Sequence, residues 1–147
     1  MADRTFEDEF MDIQTGLVSL VLEAVAAVRD VSRVYIFCSI EGGMTSFNAF
    51  LKIGDSFQRL DAVVGDRRVL MQVMGLGSGD LASLKALCDR SGRACPTQIR
   101  GRYVVGGAYD ARYEYEQIAS REEGARAPGA SFSAWLDSVR EGNDELA

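Results

Sequence analysis

With 147 residues, 47% of them hydrophobic and 26% charged, the chain has the makeup of a single globular domain spanning 1–147, long enough to bury roughly 70% of the surface its extended form exposes. A formal net charge of −6 disfavours direct nucleic-acid binding, because neutralising a phosphate backbone takes clustered Lys and Arg. The absence of histidine removes Ser-His-Asp and Cys-His catalysis together with the commonest metal ligand. The longest apolar run, 16–28, is interrupted by Ser19 and Glu23, falls short of a membrane span and lacks the basic flank of a signal peptide. Three cysteines, Cys38, Cys88 and Cys95, fit reduced, buried thiols in a cytoplasmic protein better than a disulfide framework.

In chain order, Phe6, Phe10, Ile13, Leu17, Leu20, Ala24 and Val28 recur every three or four residues and predict an amphipathic helix over 5–29. Thr5 serves as its N-cap, and Glu7, Asp8 and Glu9 place negative charge at the positive end of the helix dipole. Residues 33–40, a turn at Glu41-Gly42-Gly43 and residues 46–53 predict a first hairpin; Gly54-Asp55-Ser56 is a second turn, followed by a third strand over 57–64. Gly75, Gly77 and Gly79 interrupt the next helical pattern, which predicts a loop and then a helix from Ser78, Gly79 or Asp80 to Asp89, ended by Ser91-Gly92.

Residues 96–116, PTQIRGRYVVGGAYDARYEYE, form two alternating segments hinged at Gly106-Gly107. A three-residue loop of Gly106, Gly107 and Ala108 sets Val105 opposite Tyr109, with Tyr103/Ala111, Gly101/Tyr113 and Ile99/Tyr115 on one face. Val104/Asp110, Arg102/Arg112, Arg100/Glu114 and Gln98/Glu116 then share the other. A two-residue loop would mix the faces. Residues 120–129 read as a polar surface connection, and Ser131 caps a last helix holding Phe132, Trp135, Leu136 and Val139. The order α-β-β-(β)-α-β-β-α predicts the α+β class, an antiparallel sheet of about five strands covered by helices.

Chemistry-bearing motifs are sparse. The cysteines lack zinc-ligand spacing, so neither metal nor cofactor is expected. Gly75-Leu76-Gly77-Ser78-Gly79-Asp80 misses both glycine-rich phosphate motifs and would set Asp80 where the phosphate must sit. Glu122-Glu123 and Asp144-Glu145 lie in polar segments where solvated charge is the default. Tyr103, Tyr109, Tyr113 and Tyr115 read as core on one hairpin face; on the other, Asp110, Glu114 and Glu116 alternate with Arg100, Arg102 and Arg112, as solvated ion pairs or as a recognition surface.

The hairpin segment, its polar continuation and the late helix with Trp135 resemble the carboxy-terminal half of the YezG-type immunity proteins, bacterial antitoxins that neutralise secreted nuclease toxins. In that family a Pro-Thr/Trp-initiated strand precedes a turn and an aromatic-acidic strand; here these are Pro96-Thr97, Gly106-Gly107 and Tyr113-Glu114-Tyr115-Glu116. The resemblance implies stoichiometric inhibition of a toxin, without catalysis or cofactor, beside the toxin's cytosolic target. A nuclease is basic where it meets DNA, so Asp110, Glu114 and Glu116 are the expected partner-binding residues, with Glu7, Asp8 and Glu9 as a second candidate segment. The alternatives are a small acidic secretion chaperone binding an effector through an apolar groove, a ligand-sensing regulatory domain and, last, an enzyme whose pocket the sequence does not reveal.

Overall fold

A computed structural model describes residues 5–116 and 128–146. The fold is α+β, with one five-stranded antiparallel sheet ordered β3-β2-β1-β4-β5 and helices on both of its faces. Helix α1 (Phe6–Ala24) opens with the expected Thr5 cap as a capping box, Asp8 N–H donating to Thr5 Oγ1 at 3.1 Å and Thr5 N–H to the Asp8 carboxylate at 3.4 Å. It stops five residues before the expected end. Val25 caps it, and Asp30, at φ 65°, turns the chain through the left-handed region into the sheet.

Strand β1 (Val31–Glu41) and strand β2 (Met44–Ile53) form the first hairpin, closed by Gly42 and Gly43 at φ 59° and 77°. Two successive positive φ values suit the right-handed twist of the flanking strands, and glycine supplies them without a Cβ penalty. From Val34 to Ile40 every residue of β1 is buried, because helices cover it on both sides. Val34, Ile36 and Cys38 enter a core under α1 and α3 (Arg67–Arg90), while Tyr35 and Phe37 enter a second core under α4 (Pro128–Arg140).

The third strand is shorter than expected: β3 is Ser56–Arg59, and Leu60–Val63 forms the short helix α2. Leu60, Val63 and Val64 all join the first core. That i, i+3, i+4 spacing is helical, whereas strand alternation would send Val63 to the opposite face.

The expected glycine loop is also overturned. Helix α3 runs unbroken through Gly75, Gly77 and Gly79, capped by the Asp66 carboxylate, which accepts from Arg68 N–H at 2.9 Å. Its buried stripe is Val73, Gly77, Leu81, Leu84 and Cys88. Gly77 belongs to the packing, since a Cβ there would come 2.4 Å from Phe47 Cδ2, while Gly79 faces open space. Gly77→Ala is therefore expected to lower stability by about 1–3 kcal/mol, against the helix preference for alanine. Gly79→Ala should raise it by up to about 1 kcal/mol. Thermal melts showing both variants shifted the same way would contradict this assignment.

Strand β4 (Gln98–Val104) and strand β5 (Tyr109–Glu114) make the second hairpin, two residues out of the expected register. The observed pairs are Tyr103/Tyr109, Gly101/Ala111, Arg102/Asp110, Arg100/Arg112, Ile99/Tyr113 and Gln98/Glu114. The loop has the expected length but comprises Val105, Gly106 and Gly107, closed by Gly107 N–H to Val104 O at 2.8 Å with Gly106 at φ 79°. A two-residue shift preserves parity, so the division of the two faces stands. Helix α4 starts at Pro128, three residues before the expected cap at Ser131; proline suits a first helical position because that N–H has no helical acceptor. Residues 117–127, and with them the Glu122-Glu123 pair and most of the expected polar connection, lie outside the described residues.

Candidate functional site

Alternation in β4 and β5 decides where the hairpin charges go. Tyr103, Tyr109, Ala111 and Tyr113 pack against the core beneath α1, as the sequence predicts. Tyr115 departs from that expectation: it follows β5 and is 55% exposed, so no strand geometry turns it inward. The phenols of Tyr109 and Tyr113 both donate to Gln14 Oε1, at 2.7 and 3.1 Å, tying the hairpin to α1 through a fully buried amide. Burial pushes Tyr109 and Tyr113 above the ordinary phenol range, so both remain donors at neutral pH.

The opposite face carries Gln98, Arg100, Arg102, Asp110, Arg112 and Glu114, beside the aromatic cluster under α4. Arg102 reaches Asp110 at 3.4 Å and Arg112 reaches Glu114 at 3.0 Å. Asp110 keeps 59% of its side chain exposed and Glu114 34%, so both carboxylates look outward. Glu116 is exposed just beyond the strand, where Thr97 Oγ1 donates to its backbone carbonyl at 2.6 Å. Arginine neighbours make this face mixed in charge, as the alternation of the sequence predicts; only the pairing of carboxylates with arginines changes with the register.

The second candidate segment sits on the other layer. Glu7 pairs with Arg93 at 3.1 Å and Glu9 with Arg90 at 3.5 Å, clipping the start of α1 to the end of α3, while Asp8 is engaged in the capping box. Phe10, one turn into α1, meets Tyr113 at 5.5 Å between ring centroids, so Glu7, Asp8 and Glu9 lie near the same end of the molecule as Glu114. The helix carboxylates thus lie toward the Glu114 end of the hairpin, away from Asp110, and do not join its patch, since α1 covers the sheet face opposite the hairpin carboxylates.

Sequence reasoning missed Glu145, which it took as solvated charge. Its carboxylate is 14% exposed and accepts from Arg33 Nη1 at 2.7 and 2.9 Å, Tyr35 Oη at 2.6 Å and Arg102 Nη1 at 3.1 Å. Trp135 Nε1 donates to the Glu145 carbonyl at 2.7 Å. Burial alone would raise the Glu145 carboxyl, but the hydrogen bonds from Tyr35 and Arg102 and the charges of Arg33 and Arg102 outweigh it and hold it below the usual carboxylate range. Burial and the bond to Glu145 push Tyr35 up. No local pattern announces this node, whose partners come from β1 and β4, far away in the chain.

Cys38 and Cys88 are buried and Cys95 half-buried, all three as free thiols; burial pushes Cys95 up to about 12, which disfavours the reactive thiolate. Among the described residues no group of three or more acidic or cysteine side chains is placed to hold a metal, and no helix is long and apolar enough to cross a membrane. No protein-family model and no curated protein matches the chain.

Proposed function

We propose that this chain is an immunity protein that neutralises a bacterial toxin, a basic nuclease domain, by stoichiometric binding through the outward face of the β4–β5 hairpin. The observation that carries this reading is the placement of Asp110 and Glu114 by strand alternation on one solvent-facing side, with Glu116 immediately beyond. The resemblance of residues 96–116 to the YezG-type proteins supplies the partner class. Each carboxylate of the pair is held by an arginine at the surface, where such ion pairs are worth about 0–1 kcal/mol, so cations of an incoming basic cleft can exchange into them at small cost. Binding would take place in the cytoplasm, where a nuclease toxin meets its target.

The test takes the reading frames flanking the gene for this chain, in which a secreted protein ending in a nuclease domain is expected, and uses that domain. One-to-one capture and loss of nuclease activity are expected. Reversing Asp110, Glu114 and Glu116 to lysine should slow association at least about tenfold and flatten its dependence on salt, as complementary charge acts mainly on encounter. Unchanged association in the triple variant removes the hairpin assignment; absence of any complex with the wild-type chain removes the immunity reading.

A second reading, a secretion chaperone, is favoured by one feature: a groove of about 520 Å³ lined by Val64, Leu70, Met71 and Met74 together with Asp61 and Arg67, with Met71 64% exposed. Methionine-rich surfaces adapt to varied apolar segments. Binding of extended peptides, rather than a folded domain, would mark that function.

A further inference from the structure

We propose that the β5 edge of the sheet is a self-association surface on which a second copy of this chain pairs antiparallel, joining two five-stranded sheets into one. This inference does not rest on the toxin-binding reading, although Asp110 belongs to both surfaces. β5 is the last strand of the sheet, and among the described residues no strand lies beyond it. Val104 N–H donates to Ala108 O at 3.1 Å, and β4 and β5 continue from there as Arg102/Asp110, Arg100/Arg112 and Gln98/Glu114. In an antiparallel ladder hydrogen-bonded pairs alternate with non-bonded ones, so Asp110, Arg112 and Glu114 direct their backbone groups to β4. Tyr109, Ala111 and Tyr113 direct theirs away from the sheet, as a row of donors and acceptors that can receive another strand.

Charge selects the occupant and the register. Asp110, Arg112 and Glu114 run minus, plus, minus along one face, with Asp110 59% and Arg112 50% exposed. Charged side chains on an edge discourage indiscriminate pairing. A two-fold axis through Arg112 would set arginine against arginine and Asp110 against Glu114 of the second copy, which is unfavourable. An axis through Tyr113 gains two Arg112/Glu114 contacts but opposes Asp110 to Glu116. An axis through Ala111 has no such conflict: Asp110 faces Arg112 of the second copy and Arg112 faces its Asp110, while on the other face Tyr109 lies opposite Tyr113. That register also lets Ala111 pair with Ala111 and Tyr109 with Tyr113 through the outward backbone groups. The strand is short, so the dimer should form at micromolar concentrations and dissociate on dilution.

Sedimentation velocity of the full chain from about 1 to about 100 μM tests this. The wild-type chain is expected to shift from monomer to dimer. Asp110→Arg alone and Arg112→Asp alone should each weaken self-association about tenfold or more, because like charges then face each other twice. An equimolar mixture of the two variants should restore dimer formation, since the two arginines of one copy then face the two aspartates of the other. Ala111→Pro removes an outward N–H while leaving the β4 ladder its donors, and should give a monomer whose circular dichroism matches the wild type. A wild-type chain that stays monomeric at about 100 μM overturns the proposal. So does a dimer that persists in both charge variants, or a mixture that associates no better than its components. If Ala111→Pro fails to fold, the charge variants decide.

Discussion

Trp135→Ala is expected to destabilise the protein by about 3–5 kcal/mol, the range for removing a large buried aromatic, and to loosen α4 selectively. The indole is 2% exposed and lies 4.8 Å from Phe50 and 6.0 Å from Tyr35 between centroids, edge-on to both, with the Arg100 guanidinium 5.8 Å from its ring. It also donates the bond that fixes the Glu145 carbonyl. Truncation thus opens a cavity among Phe37, Phe50 and Phe132 and releases the tail beyond α4. In a chain of this size a loss of that order lowers Tm by about 10–16 degrees. Hydrogen exchange should show α4 losing protection first, while α1 and α3 retain it, because the first core, in which those helices pack, shares none of these rings. Uniform loss across both cores would show that the two layers do not open separately. Trp135→Phe should recover the larger part of the loss, leaving the deficit of the indole N–H.

How much of this was legible follows from which contacts are local. The stripe Phe6, Phe10, Ile13, Leu17, Leu20 and Ala24 and the Thr5 cap act within a few residues, so α1 could be read directly apart from its end. Strand parity is equally local, which is why Tyr109 and Tyr113 were assigned inward and Asp110 and Glu114 outward although the register slipped by two. The failures share one cause. Gly77 reads as a helix breaker until Phe47, thirty positions earlier in the chain, is seen to need the space its missing side chain leaves. Leu60 and Val63 read as strand until the first core is seen to want both. Gln14 interrupts an apolar stripe for a reason that lies in β5. The arginines that balance the hairpin carboxylates were visible, but which faced which depended on the register.

Glu145→Gln is expected to cost about 2–3 kcal/mol near neutral pH, although nothing in its sequence context separates it from its neighbour Asp144. The amide matches the carboxylate in size but cannot balance Arg33 and Arg102, and it offers one acceptor oxygen where the carboxylate serves three donors with two. Tyr35, fully buried, is then in danger of an unsatisfied hydroxyl, which carries its own desolvation cost. Asp144→Asn should change little by comparison, since that side chain is exposed and accepts from the nearby Leu146 N–H at 3.0 Å, a bond the amide oxygen can also accept. The pH dependence separates charge from shape. The folded state holds the Glu145 carboxyl below its unfolded value of about 4.3, so its contribution is complete above that pH and is lost as the pH falls through the lowered folded value. Wild-type stability should therefore drop across this acid window more steeply than that of Glu145→Gln, and the two curves should converge at its lower end. Parallel curves, offset by a constant amount, would mean that the tail is held by packing alone and that the Arg33, Tyr35 and Arg102 donors contribute nothing as partners of a negative charge.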